Sequence, residues 1–307
     1  MKKLLIASTA LVATAGMAAA DGHTGVKLSG YAEMGIADAG GSTGVEFHND
    51  FDVKFTLSGE TDNGLTFGAT MDFDEIGGGT DPDDNASSVF ISGNFGTLTL
   101  GDTDGALDFV NAETAMLTSI ADDHTAHAGY FDGSVADGAN DGQILRYNNT
   151  FDALTVALSY EMDDSSSSDD TLGLGLAYTA DMGGTAVRLS LGYQDNGTAD
   201  VTAISVKTAF SGIDVVLNYA EAEDASGSAD YMGIGLGYTM GDLSMHVNYG
   251  KYEITDGLNS ADADGFGLAV NYSLGGGAVV MAGYGSGTDY FASTSVDTFS
   301  LGLGLSF

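Results

Sequence analysis

The chain has no cysteine and no tryptophan, a single proline, only eight lysines and arginines, and, beyond its first twenty residues, no long apolar run. Each lack excludes something. Without cysteine there is no disulfide framework, so stability has to come from backbone pairing and burial. With Pro82 as the one proline, long ladders of paired strand are permitted. Without a stretch near the ~18 apolar residues of a membrane helix, only strands could cross a bilayer. With 44 acidic residues against 8 basic ones and a net charge of −36, a basic patch for nucleic acid or anionic lipid is excluded.

The first twenty residues differ from the rest. Met1-Lys2-Lys3 is a basic head, Leu4 to Val12 an apolar run, and Ala18 and Ala20 fit a small-x-small cleavage site. This order predicts a secretory signal peptide over 1–20, with the remaining domain over 21–307. Removing Lys2 and Lys3 takes the net charge from −36 to −38.

What the chain has in abundance is alternation. Acidity alone would suit disorder, but hydrophobic residues make up 43% of the chain and recur in phase. Phe51, Val53, Phe55 and Leu57 share one strand face, with Asp52, Lys54, Thr56 and Ser58 on the other. Leu172/Leu174/Leu176/Tyr178, Ile213/Val215/Leu217/Tyr219 and the terminal Phe299 to Phe307 repeat the pattern. Sixteen such segments predict sixteen strands. Tight connections, such as Thr61–Gly64, Phe210–Gly212 and Met240–Asp242, alternate with longer acidic ones, such as Asp38–Asn49, Glu221–Ala229 and Glu253–Ala263. The expected fold is all-β: a transmembrane, antiparallel, up-and-down barrel with both termini on the short-turn side. Tyr160, Tyr178, Tyr193, Tyr219, Tyr238, Tyr249 and Tyr272 end apolar stripes, as aromatic girdles at a membrane interface do.

These features, with Val26-Lys-Leu28-Ser-Gly30-Tyr31, Phe95-Gly-Thr-Leu-Thr-Leu-Gly-Asp102 and the terminal Phe307, make the chain resemble Gram-negative general porins of the alphaproteobacterial, Rhodobacter type. That resemblance implies a homotrimer of sixteen-stranded barrels in the outer membrane, in contact with lipid and lipopolysaccharide. It implies passive diffusion of ions and small hydrophilic solutes, a third loop folded into the lumen, and a terminal aromatic, Phe307, read by the barrel-assembly machinery. The chain lacks the Pro-Glu-Phe loop motif of enteric members. A substrate-selective channel of the same fold and a secreted β-rich adhesin remain alternatives.

The one long interruption, about 102–142, is of a length that is usually functional. It is expected to constrict the pore, with Asp102, Asp104, Asp108, Glu113, Asp122 and Asp123 as acidic candidates. A solvated surface loop is the competing reading. Lys54, Arg146 and Arg188, with Lys27 and Lys207, fall in phase with polar residues and are expected on the lumen wall, since a Lys or Arg facing lipid costs ~2–4 kcal/mol at mid-depth. Wall cations opposite loop carboxylates would set a transverse field. The dominance of carboxylates predicts cation selectivity, weakened by salt.

No cofactor is required. Calcium at Asp81-Pro-Asp83-Asp84-Asn85 or Asp122-Asp123 is a candidate without assignable ligands. His124 and His127 beside Asp122 form a weak transition-metal candidate. No enzyme is expected: Gly233-x-Gly235-x-Gly237 has no following helix and lies on the inward face of a strand.

Overall fold

The computed structural model describes residues 24–41, 44–73, 87–121, 127–131, 133–134, 137–138, 140, 142–163, 169–257, 259–288 and 294–307. The expected leader, 1–20, lies outside them.

Sixteen strands follow in chain order: β1 (Thr24–Asp38), β2 (Glu46–Glu60), β3 (Thr66–Asp72), β4 (Ser87–Gly93), β5 (Gly96–Gly101), β6 (Ile144–Phe151), β7 (Leu154–Glu161), β8 (Thr171–Asp181), β9 (Ala186–Asp195), β10 (Ala199–Phe210), β11 (Ile213–Asp224), β12 (Gly227–Met240), β13 (Leu243–Asp256), β14 (Asn259–Gly275), β15 (Ala278–Thr288) and β16 (Val296–Ser306). Each pairs antiparallel with its neighbours in sequence, and β1 pairs with β16, so the sheet closes into a barrel. Closure leaves no open edge, which a membrane-spanning sheet cannot tolerate. Among the described residues one helical turn, α1 (Ala106–Val110), interrupts the strands.

Register fixes which side chains face out. Met34 pairs with Leu303, Ile36 with Leu301, and Leu28 with Phe55, so the apolar stripes form a continuous outer band. Leu28, Phe55, Leu189 and Leu301 are exposed on the isolated barrel, as side chains that face lipid should be. The tyrosines divide between two rims. Tyr160, Tyr193, Tyr219 and Tyr249 lie toward the long-loop end of their strands, and Tyr178, Tyr238 and Tyr272 toward the short-turn end. At the long-loop rim their hydroxyls donate to carboxylates on the next strand or just before it: Tyr160 to Asp170 (2.6 Å), Tyr193 to Asp200 (2.5 Å) and Tyr219 to Asp230 (2.6 Å).

Several segments expected as acidic loops are paired strand. β11 runs to Asp224 and β12 starts at Gly227, so 221–229 is mostly ladder. Likewise β13 runs to Asp256 and β14 begins at Asn259. Above the tyrosine rim both faces of a strand meet water. The apolar half of the alternation therefore stops while backbone hydrogen bonding continues. At the other end the turns are tight: Ser211 (φ 54°) and Gly212 (φ 83°) both take positive φ, the geometry of a type I′ hairpin turn.

The wall is uneven. β3 to β6 are six to eight residues long, whereas β12 to β14 have 14, 14 and 17.

Candidate functional site

The described residues of the segment between β5 and β6 lie inside the barrel. The outgoing arm is laid along the inner wall, strand by strand. The Ala106 amide donates to Ser159 Oγ of β7 (2.9 Å) and the Ala112 amide to Ser205 Oγ of β10 (2.9 Å). Asn218 Nδ2 of β11 donates to the Ala112 carbonyl (2.9 Å) and Asn271 Nδ2 of β14 to that of Thr118 (3.0 Å). Thr114 Oγ1 meets the Tyr231 hydroxyl of β12 (3.1 Å), and the Met116 amide donates to His246 Nε2 of β13 (3.3 Å). Ser119 pairs with Ser300 of β16, and the Ala121 amide donates to Glu33 Oε2 of β1 (2.6 Å). The returning arm lies nearer the long-loop rim. His127 Nε2 bonds Asn248 Oδ1 (2.8 Å), and the Tyr252 hydroxyl donates to the Tyr130 carbonyl (3.2 Å). Burial holds the His127 imidazole below its usual pKa, against the opposing pull of Asn248 and Asp264.

Two conditions make this seat. The first is apolar anchoring. Leu107, Val110 and Ile120 are fully buried, and Leu107 belongs to one apolar cluster with Val201, Ala203, Ala220, Phe131 and Tyr231. Burying such a side chain contributes about 1.5–3 kcal/mol. The second is room. The inner faces of β8, β9, β12 and β13 carry Gly175, Gly192, Gly235 and Gly250 where the loop passes. A Cβ at Gly235 would collide with the Thr114 carbonyl, one at Gly250 with the Gly129 carbonyl, and one at Gly192 would fall 2.6 Å from Leu107 Cγ. The backbone of the loop rests on the backbone of the wall.

The basic candidates all face inward by register, but they do different things. Arg146 does not reach across the lumen. Its NH1 donates to the Asp104 carbonyl (2.6 Å), lies 3.6 Å from Asp104 Oδ2, and its guanidinium sits 4.2 Å from the centre of the Phe109 ring. Arg188 donates to the Val110 carbonyl from beneath the outgoing arm (3.3 Å). Lys54 stands on β2, away from the described seated arm, 3.3 Å from Asp72 of β3. Lys207 pairs with Arg188 in register near the short-turn rim, and Lys27 lies near the same rim opposite Thr56.

Among the acidic candidates, Asp102 and Asp104 are exposed, and Asp108 and Glu113 are half-buried on the seated arm. Glu113 Oε2 accepts from the Tyr130 hydroxyl (2.5 Å), which ties the two arms together. Asp122, Asp123, His124 and the 81–85 cluster lie outside the described residues. Among the described residues no three His, Cys, Asp or Glu side chains converge as a metal site would require. Phe307 extends the β16–β1 seam, its amide donating to the Gly30 carbonyl (2.8 Å).

Reasoning from sequence missed the residues that receive the loop: Glu33, Ser159, Glu161, Tyr231, His246 and Asn248. One signal was present. β8, β9, β12 and β13 each carry an inward glycine beneath the loop, Gly175, Gly192, Gly235 and Gly250, where the inward positions of β2 include His48, Asp50, Asp52 and Lys54.

A closed barrel with a lipid-facing apolar band and a lumen narrowed from within is a membrane channel. The comparisons with known proteins agree. A Gram-negative porin family model matches residues 7–289. A porin of Rhodobacter capsulatus is 29% identical over 290 residues, covering 84% of this chain and 93% of its own. A porin structure refined at 1.8 Å superposes with a TM-score of 0.74 and 25% identity over 92% of this chain and all of its own. An engineered triple mutant of the Rhodopseudomonas blastica porin shares the fold at a TM-score of 0.64 and 21% identity, with the same coverage. The chain belongs to the Gram-negative porins. It is an outer-membrane channel of the Rhodobacter type, and the adhesin alternative falls away.

Proposed function

We propose that the seated loop is the constriction of this channel and that it makes passive diffusion of ions and small hydrophilic solutes selective for cations. One observation carries the reading. The inward-facing arginines are turned under the loop, Arg146 to Asp104 and Arg188 to the Val110 carbonyl, while Asp104, Asp108 and Glu113 ride on it. Carboxylates on a narrow, low-dielectric passage concentrate cations, and salt screens the effect. Lys54, paired with Asp72 on the wall of β2 and β3, is a cation that opposes the loop carboxylates and gives the passage a transverse field. The reversal potential across a potassium chloride gradient tests selectivity. A potential of the sign for potassium, shrinking as both salt concentrations rise, supports it, and a preference for chloride overturns it.

Self-association as a homotrimer belongs to the same reading. The outward positions of β2 and β3 carry Phe47, Phe51, Phe55, Phe67 and the adjoining Phe73, and none of β1 to β5 carries an outward tyrosine. Tyrosine suits a membrane–water rim, whereas phenylalanine needs no polar partner and suits a face covered by another protein. That face, on the low part of the wall, is the proposed subunit contact. Lipid and lipopolysaccharide around the remaining outer face, and the barrel-assembly machinery at Phe307, complete the proposed partners. Calcium at the acidic loops is proposed as an accessory ion, to be read by terbium luminescence and its displacement by calcium.

A further inference from the structure

Where the loop leaves the wall and where it comes back, its two arms meet at a group of carboxylates that neither the sequence reading nor the constriction reading uses. Asp137, on the returning arm, accepts from the Gly105 amide on the outgoing arm through Oδ2 (2.6 Å). Glu161, at the end of β7 and 2% exposed, accepts from two amides of the returning arm, Asn140 (2.8 Å) and Gly138 (3.2 Å). The Asn140 side chain continues to Thr171 Oγ1 of β8 (3.1 Å). The two carboxyl groups therefore fasten the root of the loop, Asp137 joining arm to arm and Glu161 joining arm to wall.

We propose that Asp137 and Glu161 are the positioning residues of the constriction, and that loss or gain of the Asp137 proton sets how firmly the loop is held in the lumen. The proposal rests on the constriction reading. Every charged neighbour bears on it. Asp104 of the outgoing arm and Glu161 of β7 are like charges facing Asp137, while Arg146 of β6 is an opposite charge it shares with Asp104 and Asp108. Gln194 of β9 and the Gly105 amide supply neutral hydrogen bonds. Burial, joined by the repulsion of Asp104 and Glu161, outweighs those hydrogen bonds and moves the Asp137 carboxyl from 3.8 to about 6.

The sign follows by linkage. With the loop seated Asp137 titrates near 6, and with the root open it returns toward 3.8. The seated arrangement therefore holds its proton more tightly. Its advantage is complete below pH 3.8 and is lost as pH rises to about 6, a change of about a hundredfold in the ratio of seated to released root.

The test is single-channel recording of the whole protein in planar bilayers from pH 4 to 8, following open-channel noise and the size limit for neutral polymers. Wild type should be quiet and narrow at acid pH and should become noisier and wider as pH rises from about 4 to about 6. Asp137→Asn keeps the hydrogen-bond acceptor without a titrating proton and should abolish that transition. Glu161→Gln removes a like charge and should move the midpoint toward lower pH, which settles the matter even if the first variant fails to assemble. A transition that survives Asp137→Asn, or a midpoint that Glu161→Gln leaves in place, overturns the proposal. Leu107→Asp separates the two levels. If it leaves conductance unchanged, the constriction reading itself fails. If it changes conductance while Asp137→Asn keeps the wild-type profile, only the latch fails.

Discussion

The two halves of the inner wall are built from the same alternating strands, yet they are different surfaces. From β7 round to β16, and at Glu33 of β1, the wall receives the loop: glycine where backbone meets backbone, and serine, asparagine or histidine where a loop amide or carbonyl needs a partner. From β2 to β5, away from the described seated arm, inward polar side chains pair with one another, Lys54 with Asp72 and Thr70 with Ser88 (2.8 Å). In a barrel the outward face answers to lipid everywhere. The inward face answers to whatever fills the bore, and here the described residues of the loop line one side. Strand periodicity reveals the first requirement, and the inward glycines under the loop answer the second.

The comparison can be broken most forcefully at the seat. Leu107→Asp places a carboxylate among Val201, Ala203, Ala220 and Tyr231. An unpaired buried charge costs several kcal/mol, so the loop should leave the wall, with conductance rising and larger sugars passing in liposome swelling. Gly235→Ala ranks next. Its methyl meets the Thr114 backbone, which cannot rotate away, so the outgoing arm should shift and open-channel noise should rise. Removing a hydroxyl from the wall away from the seated arm, Ser88→Ala, should leave conductance within experimental scatter. Arg146→Ala removes a charged hydrogen bond and the contact with Phe109. It should loosen the loop root by about 1.5–3 kcal/mol, seen as faster proteolysis between residues 104 and 121. The smallest effects belong to the charges on either side of the opening. Asp108→Asn with Glu113→Gln should lower the potassium preference, and Lys54→Gln should raise it, by reversal potentials at low salt.

The sequence made the strands legible because lipid imposes a period of two on every outward position, and made the span of the loop legible because nothing in 102–142 alternates. It concealed the upper ends of β11 to β14, where water on both faces removes the pattern but not the ladder. It placed Arg146 and Arg188 on the inward face by phase alone. It could not show that their partners are loop carbonyls, because Asp104 and Val110 come to them only through the path of the loop, 42 and 78 residues away in sequence. Gly175, Gly192 and Gly235 read as an unremarkable small face until the loop rests on them. Glu33 and Glu161 read as two acids among 44, and only the amides of the loop distinguish them.

Residues 106–121 lie inside the barrel against β7 to β16 and β1. A chain without cysteine permits a clean measurement of it. The Ala112 amide lies 2.9 Å from Ser205 Oγ, so Ala112→Cys with Ser205→Cys puts the closeness of these two residues to the test of disulfide formation. Oxidation of the folded protein should join them and leave single-channel conductance at the wild-type level. Thiols that stay free under oxidant and react with bulky reagents added from the loop side would contradict the account, and so would a crosslink that forms only with a change of conductance.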